Sequence, residues 1–542
     1  MLVLLALFAF WLCWQTFSPG TFGYHHDDGI YAVTAKSLAI GQGYKIISHP
    51  DEMTQTKYPP LYPWLLSAVW RIQPHFPSNL RSLILLSNVM TILSLLIVWG
   101  YLVRCSYAGR WLALSVVALS AMNWRMLLLA NTTLSEPTYT VLLLAALWLC
   151  EGKVERHESL RLKLLLGALI GLAILTRIVG ITLPAALFLY YIIIRRRPSM
   201  VVFPLFLAAT FTAAWGFWVN INMTTGLDSS TAFYTSYLQD WTGIIAGSQS
   251  LVTVFGNCLR MIIRNLFMLF PISIPIICFG FSFAWAGAAG AKVLFAALFI
   301  WVSAFILIVH GFAKDANRRI GLLHVYILCF MGLHVFWPYT PYDRFLMPLM
   351  PFFYLFLIKG CKYLLPSLFR RLFYTRWNMK TSLRDLVLAL TVVTVIGTGA
   401  VQYVRGIVWE LPEFNGFYRE LALESDEAYG WIRENTKPTD ILLCYPDPLY
   451  FLHTQRKAIS LKPLSAATKM EDYALSAVQH YDISYLIQSQ PNLSYETRDA
   501  YQSITKASES ILERFPDVFR PVFQSSRGSV VIFRKVKKIA EP

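Results

Sequence analysis

Apolar runs close to the length of a membrane crossing recur along most of this 542-residue chain. A helix needs roughly 17 to 25 residues to cross the hydrocarbon layer. Such runs lie near 2–17, 80–103, 111–130, 136–150, 200–219, 257–282, 291–311, 320–337, 344–360 and 385–404. The longer stretch 161–194 carries Arg177 near its middle and predicts two helices that turn there. Because 56% of the residues are hydrophobic and only 14% are charged, we predict an α-helical polytopic membrane protein with about 11 to 13 transmembrane helices.

Basic residues concentrate in a few of the connections between these runs, and such connections face the cytoplasm. They are Arg104, Arg110, Lys153, Arg156, Arg161, Lys163, Arg195, Arg196, Arg197, Lys359, Arg370, Arg371, Arg376, Lys380 and Arg384. Residues 221–250 contain no Lys or Arg and carry Asp228 and Asp240, which favours the outer side. Alternation then predicts a cytoplasmic N-terminus and an external loop at 18–79. Five runs lie between Arg197 and Lys362 where an even number is required, so the helix count stays open there.

The net charge of +16 is accounted for by these cytoplasmic loops and the anionic lipid headgroups that they meet. Membrane lipids are therefore expected partners, and nothing in the charge pattern indicates nucleic-acid binding. The first segment has no basic n-region and no small-residue cleavage site, so we expect residues 1–17 to be a retained helix.

The composition changes after about residue 404. An amphipathic helix is predicted around 426–433, and short apolar runs at 441–444, 483–487 and 530–533 are typical of strands. Residues 405–542 are therefore predicted to form a small α/β domain. The preceding crossing starts from a basic segment, which places this domain outside the cytoplasm. It offers no clustered acid, base or nucleophile beyond Asp447 and His453 in an expected loop, and we predict that it modulates acceptor access without taking part in the chemistry.

The pair Asp27-Asp28 follows the first apolar run, directly after His25-His26. Loop acids most often do no more than end a helix. Here, however, an aromatic and proline-rich segment that includes Lys57 follows in the same predicted external loop. Acidic, basic and aromatic groups are therefore expected to gather at one edge of the membrane.

Several short motifs, taken together and in order, resemble the dolichyl-phosphate-mannose protein mannosyltransferase family, which includes bacterial relatives such as the lipid A aminoarabinose transferase. They are Asp27–Ala32, Ala35–Ala39, Gly41–Tyr44, Tyr58–Pro63, Ser135–Pro137, Leu175–Arg177 and Asp343–Pro351. The resemblance covers about residues 1–400 and implies a GT-C type transmembrane glycosyltransferase domain at 1–404. It also implies a bacterial inner membrane location, with the C-terminal domain in the periplasm.

A glycosyltransferase outside the cytoplasm has no nucleotide sugar to use, and the sequence has no Gly-rich phosphate loop. A polyprenyl-phosphate-linked sugar is therefore the expected donor, and the acceptor can be a lipid, a glycan or a protein. The acceptor hydroxyl needs a base to take its proton as it attacks the anomeric carbon. Asp27 is the predicted base, with Asp28 beside it in the catalytic pair.

The lipid phosphate that leaves carries negative charge, which cations and hydroxyl donors must stabilise. The candidates for contact with the donor phosphate or sugar are Tyr31, Lys57, Glu136, Arg177 and Arg344. Glu136 stands at a helix start, where helix capping explains a carboxylate equally well. Snorkelling to the headgroups is the alternative for Arg177 and Arg344. Lys57 departs from the pattern of the aminoarabinose transferase, in which the lysine directly precedes a proline. Here Tyr58 lies between Lys57 and Pro59.

No metal is required by the sequence, although His25 and His26 beside the two Asp residues are weak candidates for a divalent ion. Two other functions remain open. A transporter or flippase for lipid-linked saccharides would need paired charges deep within helices and alternating access. An O-antigen polymerase or ligase would place the site in a different external loop. Release of free lipid phosphate separates the enzyme from the flippase.

Overall fold

The fold is known from a computed structural model. It describes residues 1–23, 25–155, 159–223, 251–269, 291–338, 343–373, 404–461, 480–489 and 498–537, with positions 274, 397, 400–401 and 477–478. The chain is mostly helical, with one small sheet near its C-terminus. Seven helices precede residue 150: α1 Leu2–Gln15, α2 Asp27–Ala39, α3 Leu61–Ile72, α4 Leu80–Arg104, α5 Arg110–Ala121, α6 Trp124–Ala130 and α7 Glu136–Leu149. The later helices are Leu160–Thr176, Thr182–Phe188, Val202–Asn222, Leu251–Met268, Ala291–Arg318, Leu322–Val335, Asp343–Leu346, Met350–Phe373, Leu411–Asn435, Asp447–Thr454 and Arg498–Arg514.

Within the described residues, three helical segments are long and apolar enough to cross a membrane. They are Leu80–Arg104, Val202–Asn222 and Arg344–Leu364. Shorter apolar helices lie at Leu2–Gln15, Ile178–Ile194 and Leu322–Val335. The membrane character expected from composition is thus present in the structure. The count of about 11 to 13 crossings stays a prediction, because parts of the runs 257–282 and 385–404 lie outside the described residues.

Two apolar runs are interrupted by breaks. The run 111–130, predicted as one crossing, is divided into α5 and α6, which are bent by 64°. Asn123 starts α6, since its side chain accepts hydrogen bonds from the backbone N–H groups of Arg125 and Met126. The second break, predicted at Arg177, is confirmed, because the helix Leu160–Thr176 ends there and Arg177 is extended.

Two helices lie within the predicted external loop 18–79. It contains α2 and α3, which pack against each other, and a short antiparallel bridge between Lys45 and Thr54. Tyr31 of α2 is buried between the rings of Tyr58 and Tyr62, at centroid distances of 5.0 and 5.1 Å. This packing fixes the start of α2 relative to the segment that leads into α3.

The C-terminal sheet has five strands in the order β2-β1-β3-β5-β4. The strands are β1 Ile441–Cys444, β2 Lys457–Ser460, β3 Ile483–Ser489, β4 Phe519–Gln524 and β5 Val530–Lys535. β1 pairs in parallel with β2 and β3, whereas β5 is antiparallel to β3 and β4. Residues of the helix Leu411–Asn435 pack on one face and residues of Arg498–Arg514 pack on the other. The predicted α/β domain and its strands at 441–444, 483–487 and 530–533 are confirmed.

The sheet domain contacts the loop that contains α2. The Ala458 backbone N–H donates to the Ser48 carbonyl at 2.8 Å, and Lys457 Nζ lies 2.6 Å from the Ile47 carbonyl. The loop and the domain therefore lie on the same side of the molecule, as the sequence predicts. That this side faces away from the cytoplasm stays a prediction.

Cysteine labelling tests the orientation. Gln42 of the loop and Lys506 of the sheet domain are both exposed, so Gln42→Cys and Lys506→Cys should react with a membrane-impermeant thiol reagent in intact spheroplasts. Ser106→Cys, exposed in the basic connection after α4, is the control and should react only after permeabilisation. The reverse pattern, with Ser106→Cys labelled in intact spheroplasts, would invert the orientation.

Candidate active site at the start of helix α2

The N-terminal turn of α2 is held in an unusual backbone conformation. His26, the residue before the helix, has φ 59° and ψ −45°. A residue other than glycine held in such a region costs about 1 to 3 kcal/mol, and surrounding contacts must hold it there. Asp27 and Asp28 occupy the first helical turn, where carboxylates interact favourably with the helix dipole.

Asp28 is part of this turn and points away from solvent. Its side chain is fully buried, and its two oxygens accept hydrogen bonds from the backbone N–H groups of Gly23 and Gly29, each at 2.8 Å. The Asp28 carbonyl also accepts a hydrogen bond from the Thr133 hydroxyl. The sequence grouped Asp28 with Asp27 in catalysis, whereas these contacts give Asp28 the geometry of a residue that shapes the turn.

Asp27 lies at the centre of a partly exposed charged cluster. Its Oδ1 accepts a hydrogen bond from the Tyr58 hydroxyl at 2.6 Å, and its Oδ2 lies 2.6 Å from a guanidinium nitrogen of Arg344. The side chains of Asp27 and Arg344 are 22% and 16% exposed. Burial acts to raise the pKa of Asp27, but the Arg344 charge and the hydrogen bonds from Tyr58 and Arg344 outweigh it and hold the pKa well below its usual value. Asp27 is therefore ionised at neutral pH.

A second ion pair lies beside this cluster. Arg177 is 2.7 Å from Glu136, the first residue of α7. Arg177 also donates to the Ser135 hydroxyl at 3.1 Å, and that hydroxyl is 3.0 Å from the Tyr31 hydroxyl. Tyr31 also packs against Tyr58. It therefore contacts both the Asp27–Arg344 cluster and the Glu136–Arg177 pair, through Tyr58 and Ser135 respectively. Both predicted arginines are paired with acids here, which explains them better than snorkelling does.

Lys57 and the two histidines lie close to the same turn. Lys57 is buried next to Tyr58, and its backbone N–H donates to Gln55 Oε1. Burial and the positive charge of Arg344 hold the pKa of His25 well below its ordinary value, so this ring is neutral at pH 7. His26 binds Asp447 of the sheet domain. Among the described residues, no group of three or more His, Cys, Asp and Glu side chains could hold a metal ion. A metal-independent reaction stays a prediction.

Sequence reasoning gave no role to two residues of this site, Tyr58 and Ser135, and it missed the contact of Asp447 with His26. The first two stand inside motifs that the sequence singled out, but their hydroxyl contacts depend on how α2, α3 and α7 pack. Asp447 was predicted to lie in a loop with His453. That prediction is wrong, because both residues belong to the helix Asp447–Thr454. Asp447 stands at its first position, directly after Pro446 and before Pro448, which suits a helix start.

The pKa of Asp28 leads to a prediction about stability. Burial raises this pKa from 3.8 to about 6, against the opposing hydrogen bonds from Gly23 and Gly29. Because the folded-state pKa is the higher one, the folded protein holds the Asp28 proton more tightly than the unfolded chain does. The contribution of protonated Asp28 to the free energy of unfolding is therefore fully present below pH 3.8 and is lost as the pH rises through about 6. A shift of this size corresponds to about 3 kcal/mol.

Wild-type protein should therefore gain thermal stability relative to Asp28→Asn as the pH is lowered from about 7.5 to about 5. Melting temperatures of the two proteins in the same detergent, measured across this range, test the prediction. Taking the difference between them removes the contribution of the other titrating groups. A difference in melting temperature that does not change with pH would contradict it.

Comparison with known proteins finds similarity in part of the sequence and in the fold. Residues 57–221 match the family model of dolichyl-phosphate-mannose-protein mannosyltransferase. This range includes Tyr58, Glu136 and Arg177 and excludes Asp27 and Arg344. No curated protein matches the chain significantly.

Solved structures align with nearly the whole chain. ArnT from Cupriavidus metallidurans bound to undecaprenyl phosphate has a TM-score of 0.57 at 13% identity, covering 100% of this chain and 99% of that one. The apo oligosaccharyltransferase of Archaeoglobus fulgidus has a TM-score of 0.52 at 13% identity, covering 99% and 74% of the two chains. The same oligosaccharyltransferase tethered to an acceptor peptide with the NVT sequon scores 0.51 at 12% identity, with the same coverage. The GT-C fold expected from the sequence is confirmed.

Proposed function

We propose that this chain is a membrane glycosyltransferase that moves a sugar from a polyprenyl-phosphate-linked donor to an acceptor on the extracytoplasmic side, with Asp27 as general base. The observation that carries the proposal is the ionised, partly exposed Asp27 carboxylate, held between Tyr58 and Arg344 at the start of α2. A base must be ionised and reachable, and Asp27 is both. Asp28 and Glu136 are less suitable, since they are 0% and 2% exposed.

Two grounds support the proposed donor: the expected position of the site at the edge of the membrane, and the similarity to the ArnT structure. The ArnT structure that shares this fold over its whole length binds undecaprenyl phosphate. A donor of that class keeps its chain in the bilayer and presents its phosphate to the charged groups near α2. Arg344 and Arg177, whose side chains are 16% and 17% exposed, supply cations there. Tyr31 is buried and supports this group through its contact with the Ser135 hydroxyl.

In the proposed reaction the acceptor hydroxyl oxygen attacks the anomeric carbon of the sugar. The bond from that carbon to the phosphate oxygen breaks, and the polyprenyl phosphate leaves with the electron pair. Asp27 takes the proton of the attacking hydroxyl. Arg344 neutralises the charge that develops on the departing phosphate, where a preorganised cation has its largest effect.

The Asp27–Arg344 pair also couples donor binding to basicity. In the free protein, Arg344 lowers the pKa of Asp27, which makes the carboxylate a weak base. A donor phosphate competes with Asp27 for the same guanidinium group. As Arg344 turns toward the phosphate, the pKa of Asp27 rises, so Asp27 becomes a better base only when the donor is present.

Incubation of the purified full chain with synthetic undecaprenyl-phosphate sugars, radiolabelled in the sugar, tests the function. Wild-type protein should release free undecaprenyl phosphate and label an acceptor fraction from the cell envelope. A flippase would return the donor intact. In a parallel reaction with undecaprenyl-pyrophosphate-linked glycans, release of undecaprenyl pyrophosphate instead would favour the polymerase or ligase alternative. Intact donor in every reaction, with protein that binds undecaprenyl phosphate, would overturn the proposal.

A further inference from the structure

A buried ionisable pair joins the sheet domain to the residue before Asp27. His26 Nε2 lies 2.7 Å from Asp447 Oδ1, and the two side chains are 4% and 1% exposed. The Tyr445 ring stacks on His26, with centroids 5.5 Å apart and ring planes only 4° from parallel. Hydrogen bonding and stacking together fix both the position and the plane of the His26 ring.

His26 has a direct effect on the geometry of Asp27, because it is the preceding residue and the N-cap of α2. Its positive φ sets the direction in which the helix begins. Its carbonyl accepts the hydrogen bond of Ile30, and its own N–H donates to the Gly23 carbonyl. A His26 that relaxed to an ordinary backbone conformation would therefore turn the first residues of α2, including Asp27, away from Tyr58 and Arg344.

The surrounding contacts leave little room for the turn to adjust. A methyl group added at Gly29 would come within 2.8 Å of Pro448 Cβ, and one added at Gly23 would come within 2.5 Å of the Leu449 side chain. Both glycines flank the Asp27-Asp28 pair, and both of these neighbours come from the helix that Asp447 begins. The start of α2 is thus seated on the start of the helix Asp447–Thr454.

We propose that Asp447 is a positioning residue for the reaction, which acts through His26 to hold the Asp27 carboxylate in its working orientation. The sheet domain then completes the active site, whereas the sequence predicted that it only modulates acceptor access. This inference rests on the proposed function of Asp27. It concerns turnover and leaves the lipid phosphate subsite in place, because Arg177 and Arg344 belong to the helical part of the chain.

The test compares full-length Asp447→Ala, Asp447→Asn, His26→Ala and the double variant His26→Ala/Asp447→Ala. Asp482→Ala is the matched control, since Asp482 lies in the same domain and its side chain is 93% exposed, paired with Lys535. Turnover is measured with the synthetic donor that wild type uses, and affinity is measured with undecaprenyl phosphate. A misplacement of about 1 Å costs roughly 10²-fold in rate, so Asp447→Ala should lower kcat by about that factor.

Other measurements distinguish a positioning role of Asp447 from a general destabilisation of the fold. Undecaprenyl phosphate affinity of Asp447→Ala should not fall by more than about twofold, because Arg344 keeps its place and has less competition from Asp27. Asp447→Asn should restore most of the turnover, because its amide oxygen can still accept from His26 Nε2–H. The double variant should be no slower than His26→Ala alone, since Asp447 acts through His26. Asp482→Ala should match wild type.

Wild-type turnover in Asp447→Ala or in His26→Ala would overturn the inference. So would an equal loss of lipid affinity and turnover in Asp447→Ala, or multiplicative losses in the double variant. If Asp447→Ala does not fold, His26→Ala decides alone: wild-type turnover in it, or an equal loss of lipid affinity and turnover, overturns the inference. Asp27→Asn is measured alongside: full activity in that variant removes the proposed function itself, whereas an inactive Asp27→Asn with a fully active Asp447→Ala removes only this inference.

Discussion

Asp27→Asn is expected to lower kcat by about 10²- to 10⁴-fold, which is the usual effect of removing a general base. Asparagine keeps the shape of the side chain. Its single amide oxygen can still accept from Arg344 while its amide N–H donates to the Tyr58 hydroxyl oxygen, but it cannot take the acceptor proton. Undecaprenyl phosphate should bind at least as tightly as to wild type, because Arg344 loses a competing negative charge. Turnover with a labelled donor and equilibrium binding of undecaprenyl phosphate measure the two quantities separately.

Two variants serve as controls for this prediction. Asp28→Asn should lose less turnover than Asp27→Asn, since Asp28 is fully buried and bonded to the backbone of its own turn. Asp482→Asn makes the same chemical change at an exposed position and should behave as wild type. If Asp27→Asn turns over at nearly the wild-type rate with tight lipid binding, the base is another carboxylate, with Asp28 and Glu136 next in order.

Much of the helical architecture could be predicted because long apolar runs have few alternatives in a membrane. The break at Asn123 could not, since mean hydropathy does not register a single side chain that caps a new helix. Strands β2 and β4 were also missed. β2 has only four residues, and β4 contains Pro521, which is tolerated because β4 lies at the edge of the sheet.

For the candidate site as well, the residues could be predicted but their contacts could not. Asp27, Tyr31, Glu136, Arg177 and Arg344 stood in motifs whose order along the chain is informative, and the structure brings them together near α2. The ion pairs Asp27–Arg344 and Glu136–Arg177 could not be derived from the sequence, because a motif does not show which residue a side chain contacts or at what distance. The contact of His26 with Asp447 joins residues 421 positions apart, and local pattern carries no information on such a pair.

The second large effect is expected at Arg344. Arg344→Ala should weaken undecaprenyl phosphate binding and also lower kcat by about 10²- to 10³-fold, because in the proposed mechanism the cation that holds Asp27 also contacts the leaving phosphate. Arg344→Lys should recover only part of both, since an ammonium group cannot reproduce the planar guanidinium fork. Arg527→Ala is the matched control: Arg527 pairs with Glu420 at the surface, with both side chains more than half exposed.

The pH dependence of Arg344→Ala distinguishes the two contributions of this arginine. In wild type, Arg344 opposes the effect of burial on the pKa of Asp27 and keeps the carboxylate ionised well into the acid range. Without Arg344, burial raises that pKa, so the acid limb of kcat/KM should move to higher pH. A shifted acid limb with unchanged undecaprenyl phosphate affinity would mean that Arg344 acts only on Asp27, and Arg177 would then be the cation that receives the lipid phosphate.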